Sequence, residues 1–194
     1  MRGGPFGGGE RPLRPDGVSD VFASLAHDLG MAFEGSSGEP WSDDVFDAWV
    51  RRIFAYQFEN NSAYAAYARK RGVMPSTVAH WTEVPWVPAS AFKAVSLISG
   101  DASQVQRVFR TSGTTGGGRR GEHHVLDLDL YKASLVPNMK RHLYDDLPDG
   151  NASDRAGPSA GEPRRPIFAL TPSPAEVPDS SLSFMLGAAL DLLS

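Results

Sequence analysis

Residues 110–121, Arg110 to Gly121, read RTSGTTGGGRRG. Hydroxyls and glycines come first and two arginines follow, a composition with almost nothing to bury and more chemistry than a linker needs. Glycines let a loop gather backbone N–H groups and aim them at an anion. The hydroxyls of Thr111, Ser112, Thr114 and Thr115 add donors without charge, and Arg119 and Arg120 can neutralise phosphate oxygens. A polyphosphate ligand answers all three features together. The competing reading is a hairpin tip made of small residues, but flexibility alone does not require the hydroxyls that precede the glycine run.

Two familiar phosphate loops fit poorly. Gly113 and Gly118 have P-loop spacing, yet Arg119 and Arg120 stand where lysine and the magnesium-binding hydroxyl belong. Gly116, Gly118 and Gly121 match the glycines of a dinucleotide fingerprint. That fold wants an acidic residue after a second strand about 20 residues on, where this chain reads as helix around Lys140 and Arg141.

Working outward, Gln104–Arg110 (QVQRVFR) reads as a strand leading into the loop. EHHVLDL follows as extended chain, then a helix from Asp127 to about Tyr144 that Pro137 should kink or split. Adjacent side chains on a strand point to opposite faces, so His123 and His124 are not expected to share an ion, and no metal site is assigned. Upstream, Pro85 and Pro88 favour extended chain through VPWVPASAFK. Ser90 and Lys93 match S-x-x-K, but the companion motifs of penicillin-binding enzymes are missing. Lys93 is expected to close a short helix or anchor an interface.

The clearest helical segment is Trp41–Gly72, with Ser42 as N-cap, Asp43, Asp44 and Asp47 near its start, and Arg69, Lys70 and Arg71 at its end. Asn60–Asn61–Ser62 is a candidate break. Val45, Phe46, Trp49, Ile53 and Phe54 recur at helical spacing and read as a packing face. A shorter amphipathic helix spans Val21–Ala32, ending near Gly30. Residues 1–19 read as a disordered Gly/Pro-rich tail and 148–166 as a flexible loop, while 20–194 form the domain. Ile167–Leu170 is a short strand candidate, and Ser180 or Ser181 caps a last apolar helix. The expected class is therefore α/β, with strand–glycine loop–helix and strand–helix units after a helical N-terminal segment. A strand–helix unit with no next strand gives the expectation that the chain is the front part of a larger protein.

Hydrophobic residues make up 41% of the 194, enough for one domain with a core. The formal net charge of −4 has the wrong sign for a long phosphate backbone, so nucleic acid is not an expected partner. With no cysteine, disulfides, zinc–thiolate sites and thiol nucleophiles are excluded from these residues. No apolar run approaches the roughly 20 residues of a membrane span, and a cytoplasmic location is expected.

The hexapeptide Thr111–Ser112–Gly113–Thr114–Thr115–Gly116 resembles the phosphate loop of acyl-adenylate-forming enzymes. Its setting narrows the likeness. VPWVPASAFK, a strand into FRTSGTTG, then HH, an Asp and LYKASL, and later LTPSPAEVPDSSLSFML, together resemble the acyl-protein synthetase (LuxE) family. These are the fatty acid–protein ligases of bacterial luciferase systems and their relatives. The resemblance implies the N-terminal part of an adenylate-forming fold, with ATP and Mg2+ as cofactors. The implied reaction activates a long-chain carboxylic acid as acyl-AMP for a protein or thiol acceptor, with an acceptor or reductase protein as partner. It assigns Thr111, Ser112, Gly113, Thr114, Thr115 and Gly116 to the triphosphate. It puts Arg119 near a position where many such enzymes carry lysine, and lets a histidine, His124 by preference, line the acyl-adenylate pocket. Family members are roughly twice this long and carry an acyl-accepting cysteine absent here. A catalytically incomplete nucleotide- or acyl-binding subunit, or a truncated inactive product, therefore stays open beside the ligase.

Overall fold

Ser42 opens the longest helix. Its hydroxyl accepts from the Val45 N–H and its carbonyl from the Phe46 N–H, and Asp43 and Asp44 occupy the first turn. These groups satisfy amide donors that a helix start leaves orphaned. The computed structural model describes residues 20–36, 39–112, 119–143 and 168–193. The tail 1–19, the loop 148–166 and the positions Gly113, Thr114, Thr115 and Gly116 lie outside the described residues.

Five helices of more than two turns and one single-turn helix build the described part. In chain order they are α1 (Asp20–Ser36), α2 (Asp43–Asn60), α3 (Ser62–Lys70), α5 (Leu128–Leu143) and α6 (Ser181–Leu193), with α4 (Ala91–Ala94) a single turn. Two strands, β1 (Arg107–Arg110) and β2 (Glu122–Val125), form one antiparallel pair between α4 and α5. The described chain is thus helix-rich with a small sheet.

Asn61 makes the break between α2 and α3. Its N–H donates to the Gln57 carbonyl and ends α2, while its side-chain oxygen accepts from the Tyr64 N–H and starts α3. Gly72, with φ +72°, follows α3 in the left-handed region that glycine adopts without strain. Phe54, 1% exposed, sits at the centre of a cluster with Tyr64, Ala68 and Val78. The Phe58 and Tyr64 rings both meet it edge-on at 5.9 Å. Of the other apolar positions on α2, Trp49 and Ile53 are half-buried, whereas Val45 and Phe46 are more exposed. The Tyr64 and Tyr67 hydroxyls donate to the Pro85 and Trp86 carbonyls, which straps the proline-rich segment onto α3.

Helix α1 runs antiparallel to α2, with Phe22 near Tyr56, Arg52 paired to Asp28 at 2.6 Å, and Phe33 stacked on Trp41. It does not end at Gly30 but continues to Ser36. A glycine inside a helix costs only about 1 kcal/mol, and the Phe33 contact beyond it outweighs that. Helix α5 also runs past its expected interruption, with Pro137 inside it. The proline forfeits one backbone hydrogen bond, but Leu135 and Met139 on either side pack against Ala188 and Ala189 of α6.

Two further expectations are corrected. A second strand, β2, stands between the glycine loop and the helix, so the unit is strand–loop–strand–helix. Phe168–Leu170 forms no strand, and Phe168 and Leu170 are largely exposed. The outer edge of β1 is already engaged, since the Arg110 N–H donates to the Asp179 carbonyl at 2.8 Å. Among the described residues no helix is long and apolar enough to cross a membrane.

Candidate functional site

The glycine-rich stretch joins the two strands of a hairpin. Arg107 pairs with Val125, Val108 with His124, Phe109 with His123 and Arg110 with Glu122. Phe109, 3% exposed, fixes the hairpin to the helices behind it, its ring meeting Tyr131 of α5 at 5.7 Å and Phe184 of α6 at 5.4 Å. Tyr131 and Phe184 also touch each other, edge to face at 5.6 Å. Burial pushes the Tyr131 phenol above its usual range, so this hydroxyl stays neutral, and packing is its role here.

One pair beyond the last strand residues, the hairpin is drawn together at a neck. The Thr111 N–H donates to the Gly121 carbonyl at 3.0 Å, and the Gly121 N–H returns to Thr111 Oγ1 at 2.9 Å. The Arg120 guanidinium closes the neck from outside. It donates to the Thr111 carbonyl at 2.7 Å and pairs with Asp179 at 2.8 Å. Arg110 is held by Glu122 at 3.0 Å, and Arg107 donates to the Pro178 carbonyl while lying over the Phe184 ring. Gly121 is buried where a side chain would crowd its neighbours. A Cβ there would stand 3.3 Å from Thr111 Cγ2 and 3.5 Å from both Lys93 Cγ and the Phe92 carbonyl carbon.

The residues singled out from the sequence fall into three groups. Thr111 and Ser112 lie at the exit of β1, Thr111 bonded across the neck and Ser112 exposed. Arg119 is exposed, with no ion-pair or hydrogen-bond partner among the described residues, whereas Arg120 is consumed as a clamp. Gly113, Thr114, Thr115 and Gly116 belong to the undescribed stretch.

The two histidines have separate partners. His123 is exposed and stacks on Phe92 at 4.3 Å, tying α4 to β2. His124 is largely covered, shares a 3.0 Å hydrogen bond with Ser96 Oγ, and stands 3.6 Å from Glu122. It also lines a cavity of about 430 Å³ bounded by Phe22, Leu25 and Leu29 of α1, Tyr56 of α2, and Tyr131 of α5. The walls are mainly apolar, and His124 brings a ring that can carry a proton or donate a hydrogen bond to their edge. Among the described residues no group of three or more His, Asp or Glu stands together as an all-protein metal site would require.

The residues missed by sequence reasoning are those that clamp the neck from a distance. Asp179 meets Arg120 across 59 positions of chain, and no local pattern marks it. Gly121 was visible as a glycine but not as a contact point for Lys93. Comparison with family models, with curated proteins and with solved structures finds no match to this chain.

Proposed function

We propose that this chain holds the phosphate site of an acyl-adenylating ligase, which activates a carboxylic acid with ATP for transfer to a protein or thiol acceptor. The observation that carries the reading is the hairpin neck. Thr111 and Gly121 are bonded to each other at the ends of the two strands and Arg120 braces the Thr111 carbonyl, a fixed base for the stretch TSGTTG, whose donors must not reorganise during reaction. The apolar cavity beside His124 adds room for the hydrocarbon part of an acid next to the same strand.

In the proposed reaction a carboxylate oxygen attacks the α-phosphorus of ATP. The bond to the β-phosphate oxygen breaks, and pyrophosphate leaves with that electron pair. The acyl-AMP then passes its acyl group to an acceptor nucleophile, releasing AMP. Charge is the obstacle, because an anion approaches a polyanion and the leaving group gains charge. Amide and hydroxyl donors of Ser112, Gly113, Thr114, Thr115 and Gly116 would carry that charge, with Arg119 beside them. Magnesium, when bound with the triphosphate, supplies further neutralisation.

The test is Mg-ATP binding and ATP–pyrophosphate exchange with a panel of aliphatic and aromatic acids. Thr114→Ala is expected to raise the barrier by about 2–4 kcal/mol, by analogy with the loss of one oxyanion donor, and Gly113→Ala is expected to depress exchange by adding a side chain where the loop backbone must approach the phosphates. Exchange unchanged in both variants would refute the cradle. Nucleotide uptake without exchange for any acid would leave a holding role and remove the chemistry.

A further inference from the structure

We propose that Ser96 is a nucleophile for activated acyl groups, with His124 as its general base and the apolar cavity beside them as the seat of the acyl chain. This goes beyond the function proposed above, for which acyl-AMP would be one such donor, and it is testable without nucleotide.

Three features meet at one place, all of them among the described residues. Ser96 stands exposed in the segment that follows α4, and its Oγ lies 3.0 Å from Nε2 of His124 on β2. That is the separation at which a serine hands its proton to a base. Glu122 Oε2 lies 3.6 Å from the same nitrogen, while Arg110 holds the other carboxylate oxygen. A carboxylate fixed there opposes the positive charge that the ring gains on taking a proton. The cavity is the third feature. His124 lines it, and so do Leu97 and Ser99 of the segment that carries Ser96. The hydroxyl and its base therefore stand at the rim of a largely apolar space of about 430 Å³.

That segment is pinned on both sides. The Tyr56 hydroxyl donates to the Ser99 carbonyl at 2.8 Å, and α4 is docked on β2 through the Phe92–His123 stack. The Leu97 N–H, one residue beyond the hydroxyl, has no hydrogen-bond partner among the described residues, which leaves it as a donor for an oxyanion. In the proposed step Ser96 Oγ attacks the acyl carbonyl carbon, its proton passes to His124 Nε2, and the carbonyl π electrons move onto oxygen. As they return, the bond to the leaving group breaks and that group departs with the bonding pair. His124 gives its proton to the leaving group or to solvent. The chain then holds an acyl-serine ester, from which water or another acceptor takes the acyl group.

The experiment treats the full chain with p-nitrophenyl acetate and p-nitrophenyl hexanoate, following nitrophenolate release and the mass of the peptide that carries Ser96. A hexanoyl ester is expected on Ser96. It should form at least about tenfold faster than the acetyl ester, since each methylene seated in the cavity is worth about threefold to fourfold. Ser96→Ala should release nitrophenolate at the background rate, and His124→Gln should acylate about 10²–10⁴-fold more slowly. Both variants should melt within about 4 °C of the parent. Ser96→Cys puts a single thiol into a chain without cysteine and should acylate at that position. Should Ser96→Ala or His124→Gln melt early, the peptide masses of the parent and of Ser96→Cys decide the question. A parent that gains no ester on Ser96, equal acetyl and hexanoyl rates, or a His124→Gln rate matching the parent overturns the assignment, whatever ATP–pyrophosphate exchange shows. A Ser96 ester in a chain that takes up no nucleotide sustains it and removes the adenylating function instead.

Discussion

Gly187 and Gly30 sit inside α6 and α1 with opposite surroundings, and replacing each by alanine isolates one packing contact. A Cβ on Gly30 meets nothing within 4 Å, whereas one on Gly187 would stand 2.5 Å from Pro174 Cγ and 3.2 Å from its Cδ. Both substitutions gain the same helix propensity, about 1 kcal/mol. At Gly187 the new methyl falls about 1 Å inside the usual 3.5–4.0 Å carbon contact. The facing group is a proline ring, which cannot rotate away. Overpacking of this kind costs about 1–3 kcal/mol, so Gly187→Ala should be less stable than Gly30→Ala by about that amount. At roughly 2–4 °C per kcal/mol for a chain of this size, thermal unfolding separates the two variants readily. Pro174 also belongs to the segment that delivers Asp179 to the hairpin. On the proposed function, Gly187→Ala should weaken Mg-ATP uptake as well. A Gly187→Ala protein as stable as Gly30→Ala would refute the contact and the docking of that segment on α6.

Thr111→Val keeps the shape of the side chain but removes the acceptor of the buried Gly121 N–H. It should destabilise the chain by about 1–3 kcal/mol in urea unfolding, and Thr111→Ser should be near neutral by the same measurement. Acid sensitivity is expected from Asp47. Burial pushes its carboxyl up, but hydrogen bonds from Arg51 and the Trp81 N–H, with the charges of Arg51 and His80, outweigh this and bring it below the usual range. A depressed folded-state value means the contribution is present above about pH 4, the unfolded range. It is lost as pH falls through the lower folded value. Asp47→Asn should flatten the acid side of the stability profile. Part of the decline should remain through Asp101 and Glu176, lowered by the Ser103 and Ser173 amides respectively.

Local grammar was readable wherever one short stretch contained both donor and acceptor. Ser42 before two aspartates announced a helix start, and Asn61 between two helical patterns announced their junction. Ser180 or Ser181 was the expected cap of α6, and the Ser180 hydroxyl is the one that accepts from the Ser183 N–H. Punctuation failed where packing overrode it, as at Gly30 and Pro137. The hairpin was half visible: β1 was readable as a strand, but β2 was merged with the extended approach to α5. Its pairing depends on Glu122 facing Arg110 across the loop. Candidate site residues were recognisable as chemistry, since hydroxyls, glycines and arginines in one run suggest an anion. Which arginine is spoken for was not recognisable, because Asp179 decides it from far along the chain.

That distance has a consequence for the order in which the protein is made. The hairpin emerges from the ribosome with its turn and both strands, yet Arg120 finds Asp179 only 59 residues later and Arg107 finds the Pro178 carbonyl 71 residues later. At about 5–20 residues per second, the gap between Arg120 and its partner is about 3–12 s. During that interval the base of the hairpin lacks its clamp, so the neck reaches its final form only after Asp179 and Pro178 have been made.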